Sequence, residues 1–310
     1  AVASYQKGSV VNRVGLSVAA LAAMGVAVAG CGSSSSGGTP PASSPSAAAS
    51  ASPSAVAGGI PGCTPSTLKT VSSGNITIGV DEPVYPPWFN HNKTPIDGNG
   101  FESAVDLAIA KKLGYTPAQI KIKRITFTQA IGPAARDFDY DLDEFSITAA
   151  REKAVDFSAP YYNVAEAIVA MKGSKAASVT TFAGLKSLKL GAQTGTTDQQ
   201  TISDVIKPSS HAFYGSNSLA IQALKNGQID GLVVDLPTAF YITSAQVKGS
   251  VIVGQLAPGA HPEQFGALLA KGSPLTSCVS KAVDALKASG ELAKIQSKWL
   301  AKEANAPVLH

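Results

Sequence analysis

The feature that most constrains the fold is a regular alternation of strand-like and helix-like segments over residues 75–301. β-Branched residues alternate in residues 75–80, and apolar residues keep helical spacing in residues 101–113, where Gly114 provides a stop. Further strand-like and helix-like runs repeat this order along the chain. Such alternation is typical of βαβ units, so we predict an α/β fold built on mostly parallel sheets.

The start of the chain differs in composition from this folded part. Residues 1–30 carry Lys7 and Arg13 ahead of a small apolar run, which is typical of an export signal. Residues 28–31 (Val-Ala-Gly-Cys) resemble a bacterial lipobox, in which Cys31 receives a lipid and becomes the mature amino terminus. The alternative is an ordinary signal peptide that contains a cysteine by chance.

Residues 31–74 follow as the anchored cysteine and a flexible linker. Positions 32–62 contain no charged and no aromatic residue, only Gly, Ser, Pro, Ala and Thr with an occasional Val or Ile. Such a composition buries too little apolar surface to fold and behaves as a tether. We therefore expect a lipid-anchored protein on the extracellular or periplasmic face of the cell membrane.

The charge balance argues against nucleic acid as a partner. The chain has 25 basic and 21 acidic residues, and removal of Lys7 and Arg13 with the export signal leaves 23 basic residues. No basic tract of the kind that follows a phosphate backbone remains.

Two cysteines, Cys63 and Cys278, remain beyond Cys31. An exported protein folds in an oxidising compartment, so we predict a disulfide that joins the start of the folded part to a carboxy-terminal helix. Metal binding is the weaker alternative, because neither cysteine lies in a Cys-x-x-Cys pair or near a histidine. The four histidines also lack ligand spacing, so we expect no metal site.

Polar side chains follow several of the predicted strands. Residues 81–89 display acids and aromatics, and residues 139–162 gather acids, hydroxyls and Arg151, a set suited to a ligand with a carboxylate and an ammonium. Residues 193–198 place Gly-Thr-Thr before a helix, which favours an anion, and Asp235 ends another strand. Each segment also has a structural alternative. Residues 81–89 could form a loop that only covers the core, and residues 139–162 a solvated loop. Residues 193–198 and Asp235 could cap helices without a ligand.

No common catalytic or nucleotide-binding signature occurs in the chain. The patterns G-x-S-x-G, G-x-G-x-x-G and H-E-x-x-H and the Walker loop are all absent. Their absence weakens the case for an enzyme, and we expect no cofactor.

Several motifs occur in a fixed order across nearly the whole folded part. They are Tyr85-Pro-Pro-Trp88, Gly100-Phe-Glu102, Ser146-Ile-Thr-x-x-Arg151, Val155-Asp-Phe-Ser-x-Pro-Tyr-Tyr162, Gln193-x-Gly-Thr-Thr197, Val234-Asp235 and Ala288-Ser-Gly-Glu-Leu-Ala-Lys294. In this order they make residues 75–300 resemble extracellular solute-binding protein family 3, the polar amino-acid receptors of ABC importers. The resemblance implies two α/β lobes of the periplasmic-binding-protein type, joined by two hinge strands, with the ligand clamped between them.

The resemblance also implies domain boundaries and partners. The first lobe is expected to be discontinuous, from residues 75–165 and 261–310, and the second to comprise residues 166–260. The protein is expected to bind an amino acid and deliver it to the permease subunits of an ABC importer, without acting as an enzyme.

The family's ligand-binding roles are carried over residue by residue. Arg151, with Ser146 and Thr197, corresponds to the group that binds the α-carboxylate, and Asp235 to the acid that binds the ammonium. Tyr85 is expected to stack on the ligand side chain. The implied set is Glu82, Tyr85, Trp88, Glu144, Ser146, Arg151, Thr196, Thr197 and Asp235.

The chain departs from the family at Asp143 and Glu144, where many relatives carry small residues. Together with Glu82, these acids favour a ligand with a cationic side chain. Glu144 could instead face solvent or pair with Arg151, which would leave a neutral ligand such as glutamine. Some relatives are dehydratases of prephenate-like compounds, and a pocket carboxylate could serve that chemistry here. Retention of Arg151 and Asp235 argues for a zwitterionic ligand instead.

Overall fold

The computed structural model describes residues 59–257, 263–300 and 306–310. The predicted export signal, the lipidation site Cys31 and the linker as far as residue 58 lie outside the described residues. Within the described ranges, no helix combines the length and the apolar character that a membrane crossing requires.

Strands and helices alternate along the described chain. The strands are β1 (Ile76–Val80), β2 (Ile120–Arg124), β3 (Tyr140–Asp141), β4 (Val155–Phe157), β5 (Tyr162–Val164), β6 (Glu166–Met171), β7 (Lys189–Gln193), β8 (Ser210–Tyr214), β9 (Gly231–Asp235), β10 (Ser250–Leu256), β11 (Glu263–Phe265), β12 (Leu268–Ala270) and β13 (Val308–Leu309). The α-helices are α1 (Phe101–Lys112), α2 (Phe127–Ile131), α3 (Thr197–Gln200), α4 (Asn217–Lys225), α5 (Leu236–Tyr241), α6 (Thr276–Ala288) and α7 (Glu291–Trp299).

The first lobe is built on a five-stranded sheet in the order β2-β1-β3-β12-β4. Helices α1, α6 and α7 contact one another on this lobe. Its main core includes Trp88, Phe101 and the two cysteines, all of them buried. The apolar positions that predict α1 from the sequence, such as Phe101 and Ile109, are fully buried in this core.

The second lobe is built on a six-stranded sheet in the order β13-β10-β6-β9-β7-β8. Alternate residues of β6 enter different cores, with Ile168 and Ala170 in one and Ala167 and Val169 in the other. Successive side chains of a strand point to opposite faces, so both faces of this sheet are covered. That double burial explains why β6 is apolar throughout after its first residue, Glu166.

A separate two-stranded antiparallel pair, β5 with β11, connects the lobes. Residues 264–270 read as one apolar strand in the sequence, but that expectation is wrong, because Gly266 and Ala267 separate hinge strand β11 from sheet strand β12. A Cβ at Gly266 would lie 2.9 Å from a side-chain atom of Ile147, so a larger residue at this crossing point would displace that side chain. The two-lobed α/β fold with two hinge strands is thereby confirmed.

Both large sheets mix parallel and antiparallel pairs. Strand β1 runs parallel to both of its neighbours, whereas β12 and β6 run antiparallel to both of theirs. The antiparallel strands β6 and β12 are those that directly follow the hinge strands β5 and β11, so the chain enters each sheet from the hinge side.

The carboxy-terminal strand departs from the predicted lobe boundary. Residues 261–310 were assigned to the first lobe, but β13 pairs in parallel with β10 of the second sheet. The backbone N–H of Phe182 also donates to the His310 carbonyl oxygen at 2.9 Å, which places the chain end on the second lobe. The other lobe boundaries stay predictions.

The predicted disulfide is present between Cys63 and Cys278, with a Cα–Cα distance of 5.6 Å. Cys63 precedes β1, and Cys278 lies in the first turn of α6. Both residues are buried in the main core of the first lobe, where the bond joins the amino-terminal end of the described chain to that helix.

A close backbone approach fixes the start of α1 beneath the loop that follows β1. Gly100 precedes the helix with φ 118°, a conformation that favours glycine. A Cβ at this position would lie 2.7 Å from the Phe89 Cα and still closer to the Trp88 carbonyl oxygen. The Trp88 carbonyl also accepts the Glu102 backbone N–H at 3.0 Å, so the loop and the helix form one unit.

Candidate functional site

A cavity of about 120 Å³ lies between the two lobes. A single water needs roughly 10–15 Å³ of such space, so the cavity has room for a small ligand of several heavy atoms. All ligand-binding residues expected from the sequence line it: Glu82, Tyr85, Trp88, Glu144, Ser146, Arg151, Thr196, Thr197 and Asp235. Their side chains come from the loops after β1, β3, β7 and β9, where parallel strands of an α/β sheet present ligand sites.

Arg151 is anchored to both lobes by backbone carbonyls. Its Nη1 donates to the Ser146 carbonyl oxygen at 2.8 Å and its Nη2 to the Gly195 carbonyl oxygen at 3.0 Å. The guanidinium carbon lies 5.4 Å from the centre of the Phe127 ring. Burial lowers the pKa of Arg151, while nearby carboxylates oppose that shift. Arginine remains cationic, and the planar group keeps further N–H donors for an anion.

Hydroxyl groups from the two lobes meet beside Arg151. The Ser146 Oγ lies 3.2 Å from the Thr197 Oγ1. The Thr196 hydroxyl has a capping role, because it accepts the Gln199 N–H at 3.2 Å and donates to the Gln193 carbonyl oxygen at 2.8 Å. Ser146 and Thr197 are therefore better placed than Thr196 to contact a carboxylate through their side chains.

Asp235 ends β9 and precedes α5, but its side chain does not cap that helix. Its Oδ1 is buried and has no hydrogen-bond partner among the described residues. Burial raises the pKa of Asp235 well above its usual range, and the charges of Asp198, Glu263, Glu144 and Glu166 raise it further. A buried carboxyl with an unpaired oxygen is costly unless it gains a proton or a cationic partner.

Glu144 is held in place on the cavity wall by contacts to both lobes. Its backbone is left-handed, with φ 55°, and its N–H donates to the Glu102 Oε1 at 2.9 Å. Its Oε2 accepts the Thr238 hydroxyl at 3.0 Å. Because Arg151 donates to carbonyl groups instead, the described residues do not show the Glu144–Arg151 pair that the sequence left open.

Burial raises the pKa of Glu144 well above its usual range, and the nearby Glu102 raises it further. Hydrogen bonds from Thr238 and with the Asp235 side chain oppose the shift. Below Glu144, burial raises the pKa of Glu102 to about 7, against hydrogen bonds from Tyr161 and the Glu144 backbone. Carboxyl groups packed this closely cannot all be charged without a cation between them.

Three further acids line the cavity: Asp81, Asp143 and Asp198. Burial raises the pKa of each, and neighbouring carboxylates contribute to the shift. Asp81 and Asp198 lie within residues 81–89 and 193–198, which the sequence singles out, but neither is among the ligand residues that the resemblance implies. Their position immediately after Thr197 and Val80 was the available signal.

Glu82 lies at the rim of the cavity rather than within it. Its side chain is 57% exposed, and its Oε2 lies 3.7 Å from the Arg124 Nε. Arg124 also donates to the Asp81 carbonyl oxygen at 2.6 Å, so the pair is fixed to the loop. The charge of Glu82 is thus partly neutralised by Arg124. Glu144 is better placed than Glu82 to contact a cationic group in the cavity.

Two hydrogen bonds cross between the lobes near the aromatic residues of the first-lobe loop. The Tyr85 hydroxyl contacts the Ser218 hydroxyl, and the Trp88 Nε1 donates to the Thr238 Oγ1 at 2.8 Å. Ser218 and Thr238 lie on α4 and α5 of the second lobe and were not singled out from the sequence. Nothing local in an amphipathic helix marks such residues as partners of a distant loop.

Despite the number of carboxylates, no group of three or more His, Cys, Asp or Glu residues in the described ranges is arranged to hold a metal ion. The acids instead line the same cavity as Arg151.

Known proteins match this chain in sequence and in fold. Residues 76–302 match the family model of bacterial extracellular solute-binding proteins, family 3. The ABC transporter arginine-binding protein 1 of Escherichia coli (strain K12) is 30% identical over 240 residues, which cover 75% of this chain and 93% of that protein.

Two solved structures are also similar. An ancestral arginine-binding protein bound to glutamine is 31% identical, with a TM-score of 0.60, over 73% of this chain and 97% of that chain. The ancestral amino acid-binding protein AncCDT-1, described as a precursor of cyclohexadienyl dehydratase, is 25% identical, with a TM-score of 0.59, over 73% of this chain and 94% of that chain. With its two lobes, its hinge pair and its matched sequence, the chain belongs to the bacterial extracellular solute-binding proteins, family 3.

Proposed function

We propose that this protein binds an amino acid with a cationic side chain between its lobes and delivers it to the permease of an ABC importer. The observation that carries the proposal is the charge of the cavity wall. Among the described residues of the lining, Arg151 is the one basic residue, whereas the acids are Asp81, Glu82, Asp143, Glu144, Asp198 and Asp235. A zwitterion with a neutral side chain would balance one acid and one base, so the surplus of acid favours additional positive charge on the ligand.

The α-carboxylate of the ligand is assigned to Arg151, with the Ser146 and Thr197 hydroxyls beside it. Arginine suits a carboxylate because its planar donors match both oxygens. The guanidinium already lies between the lobes, and its remaining donors complete the pairing when an anion enters. This assignment also explains why an arginine is tolerated in a wall that otherwise carries acids.

The α-ammonium is assigned to Asp235, whose unpaired buried oxygen needs a cationic partner. The side chain of the ligand would then extend along Tyr85 and Trp88 towards Glu144 and Asp143. Positive charge there would lower the raised pKa values of these acids by giving their carboxylate forms a partner.

The location and the transport partner follow from the proposed role. An export signal in residues 1–30, a lipid on Cys31 and a flexible linker would hold the receptor on the outer face of the membrane beside its permease. Metabolic labelling with a palmitate analogue, compared between the wild type and Cys31→Ala, would test the anchor. Equal labelling of both proteins would contradict it.

A dehydratase-like activity is the second candidate, because Glu144 is a pocket carboxyl whose pKa is raised and a relative is described as a dehydratase precursor. A carboxyl whose pKa is raised by burial is suited to general acid catalysis. Against this reading, prephenate itself has no ammonium to pair with Asp235. We therefore place binding first.

The test is calorimetry and thermal shift with arginine, lysine, histidine, glutamine and glutamate, followed by the remaining amino acids. A cationic ligand at about a hundredfold excess over its Kd would stabilise the fold by about 2.7 kcal/mol. We expect arginine or lysine to give the largest shift. A preference for glutamine would refute the cationic assignment, and no binding of any amino acid together with turnover of prephenate or arogenate would support the enzyme.

A further inference from the structure

A chain of two hydrogen bonds runs from the first lobe to the second and back. The Trp88 Nε1 donates to the Thr238 Oγ1 at 2.8 Å, and that hydroxyl donates to the Glu144 Oε2 at 3.0 Å. Trp88 and Glu144 belong to the first lobe, whereas Thr238 lies on α5 of the second lobe. All three residues line the cavity. The contact can therefore exist only while the two lobes are in contact.

The direction of this chain is fixed by the chemistry of its members. An indole N–H is a donor only, so the Thr238 oxygen must accept from Trp88. The single hydroxyl proton of Thr238 is then available for Glu144, which must accept it. The exposure of Trp88 is 1% and that of Thr238 is 8%, so water cannot readily replace either partner.

This arrangement fixes the direction in which Glu144 presents its charge. One carboxylate oxygen is held by Thr238, and the backbone N–H is held by Glu102. A left-handed backbone persists in a non-glycine residue where surrounding contacts determine it, as these do. The carboxyl group is thereby kept at the cavity wall without a cation of its own from the protein.

The space beyond Glu144 is too small for a further charged group. A second cavity there measures about 20 Å³, little more than the roughly 10–15 Å³ that one water needs. Its lining includes Tyr85, Trp88, Glu144 and Thr238. Of the described residues that line it, Glu144 is the one with an ionisable acidic or basic group of the Asp, Glu, Lys or Arg type. A ligand side chain that extends past Tyr85 would therefore end at Glu144.

We propose that Thr238 is a specificity-determining positioning residue, which holds Glu144 as the acceptor for the guanidinium or ammonium at the end of the ligand side chain. It does so through a hydrogen bond that forms only when the lobes close. The inference rests on the proposed function, since it presumes a cationic amino acid in the cavity. It assigns selection of the side-chain charge to a residue of the second lobe that bears no charge itself.

The experiment compares arginine and glutamine binding by calorimetry at pH 7.5 for the wild type and three variants of the full folded chain. Thr238→Val removes the hydroxyl at nearly constant volume, and Thr238→Ser restores it. Thr243→Val is the matched control, because the Thr243 hydroxyl donates to backbone carbonyls of its own helix and does not line the cavity. Thr238→Ala serves as a second hydroxyl-free variant if the valine variant folds poorly.

We expect the arginine affinity to fall about 10-fold or more in Thr238→Val, which is the typical effect of losing one hydrogen bond to a charged group. The glutamine affinity is expected to change by less than about 3-fold, and Thr238→Ser and Thr243→Val are expected to retain wild-type values. Loss of the hydroxyl also removes a bond that favours the charged carboxylate. The pH below which arginine binding weakens should therefore move upward in Thr238→Val.

Three outcomes would overturn the inference while leaving the proposed function in place. They are an unchanged arginine affinity in the hydroxyl-free variants, an equal loss for arginine and glutamine, and a failure of serine to restore binding. A wild type that binds no cationic amino acid would instead refute the proposed function itself.

Discussion

Removal of the Cys63–Cys278 disulfide should lower the stability of the first lobe by several kilocalories per mole. The two cysteines are separated by 215 positions, so the bond closes a loop that contains both hinge strands and all of the second-lobe sheet except β13. For a loop of this length, the chain-entropy model gives about 5 kcal/mol at 25 °C, and measured losses for native disulfides run at about 2–5 kcal/mol. We expect a loss within that measured range.

The assay is urea unfolding followed by tryptophan fluorescence. The chain has 2 tryptophans, and both Trp88 and Trp299 belong to the main core of the first lobe or pack against it. Their emission therefore reports on the lobe that holds the disulfide. With an m value of about 2–3 kcal/mol/M, the midpoint should fall by about 1–2 M urea.

Two samples separate the covalent bond from the packing of the sulfur atoms. Reduced wild-type protein keeps both side chains, whereas the double variant Cys63→Ala, Cys278→Ala loses the sulfur atoms as well. Both should unfold at lower urea than oxidised protein, and the double variant should not respond to reductant. Unfolding free energies that agree with that of the oxidised protein to within about 1 kcal/mol would refute the reasoning.

Three further predictions concern the ligand site and the backbone. Arg151→Ala should weaken binding of a cationic amino acid by at least about 30-fold, because truncation of a buried charge partner costs about 2–5 kcal/mol. Calorimetry should show unchanged binding in Arg136→Ala, whose guanidinium also bonds to backbone carbonyls but lies outside the cavity lining, and equal losses in both variants would contradict the assigned role. Arginine affinity should fall as the pH is lowered, and the fall should begin well above the ordinary carboxyl pKa range, because the pKa of Asp235 is raised and a protonated carboxyl no longer attracts a cation. A calorimetric series that shows the same affinity from pH 8 to pH 4 would exclude this. Gly100→Ala should destabilise the protein by more than about 2 kcal/mol in urea unfolding, because its Cβ would overlap backbone atoms. Gly173→Ala, which has nothing within 4 Å of the new Cβ, should cost about 1 kcal/mol from its φ alone. Similar losses in the two variants would show that the close backbone approach at Gly100 does not determine the cost.

The sequence predicts most of the secondary structure and the place of the site. Strands such as β1 and β9 and helix α1 carry local patterns of alternation or helical spacing that do not depend on distant contacts. The cavity lining also follows from local information, because the polar residues lie directly after strands and parallel strands bring those ends together. The disulfide is predictable since only one pairing is open to Cys63 and Cys278 once Cys31 is set aside.

What the sequence does not predict depends on contacts between distant residues. The Thr238–Glu144 bond joins residues 94 positions apart in different lobes, and nothing in the local pattern of α5 marks its hydroxyl. Glu82 and Glu144 are both acids near strand ends, yet one is neutralised by Arg124 at the rim and the other is held at the cavity wall. Side-chain direction and partner choice decide between them, and these are set by the folded neighbours.

Because β13 lies in the second sheet while the disulfide holds the other end of the described chain on the first lobe, the two ends of the folded part lie on different lobes. A fluorophore fused ahead of Cys63 and another after His310 would each move with a separate lobe. Energy transfer between them would then change with the hinge angle. The protein is therefore a starting point for a ratiometric optical sensor whose two labels report the hinge angle from different lobes.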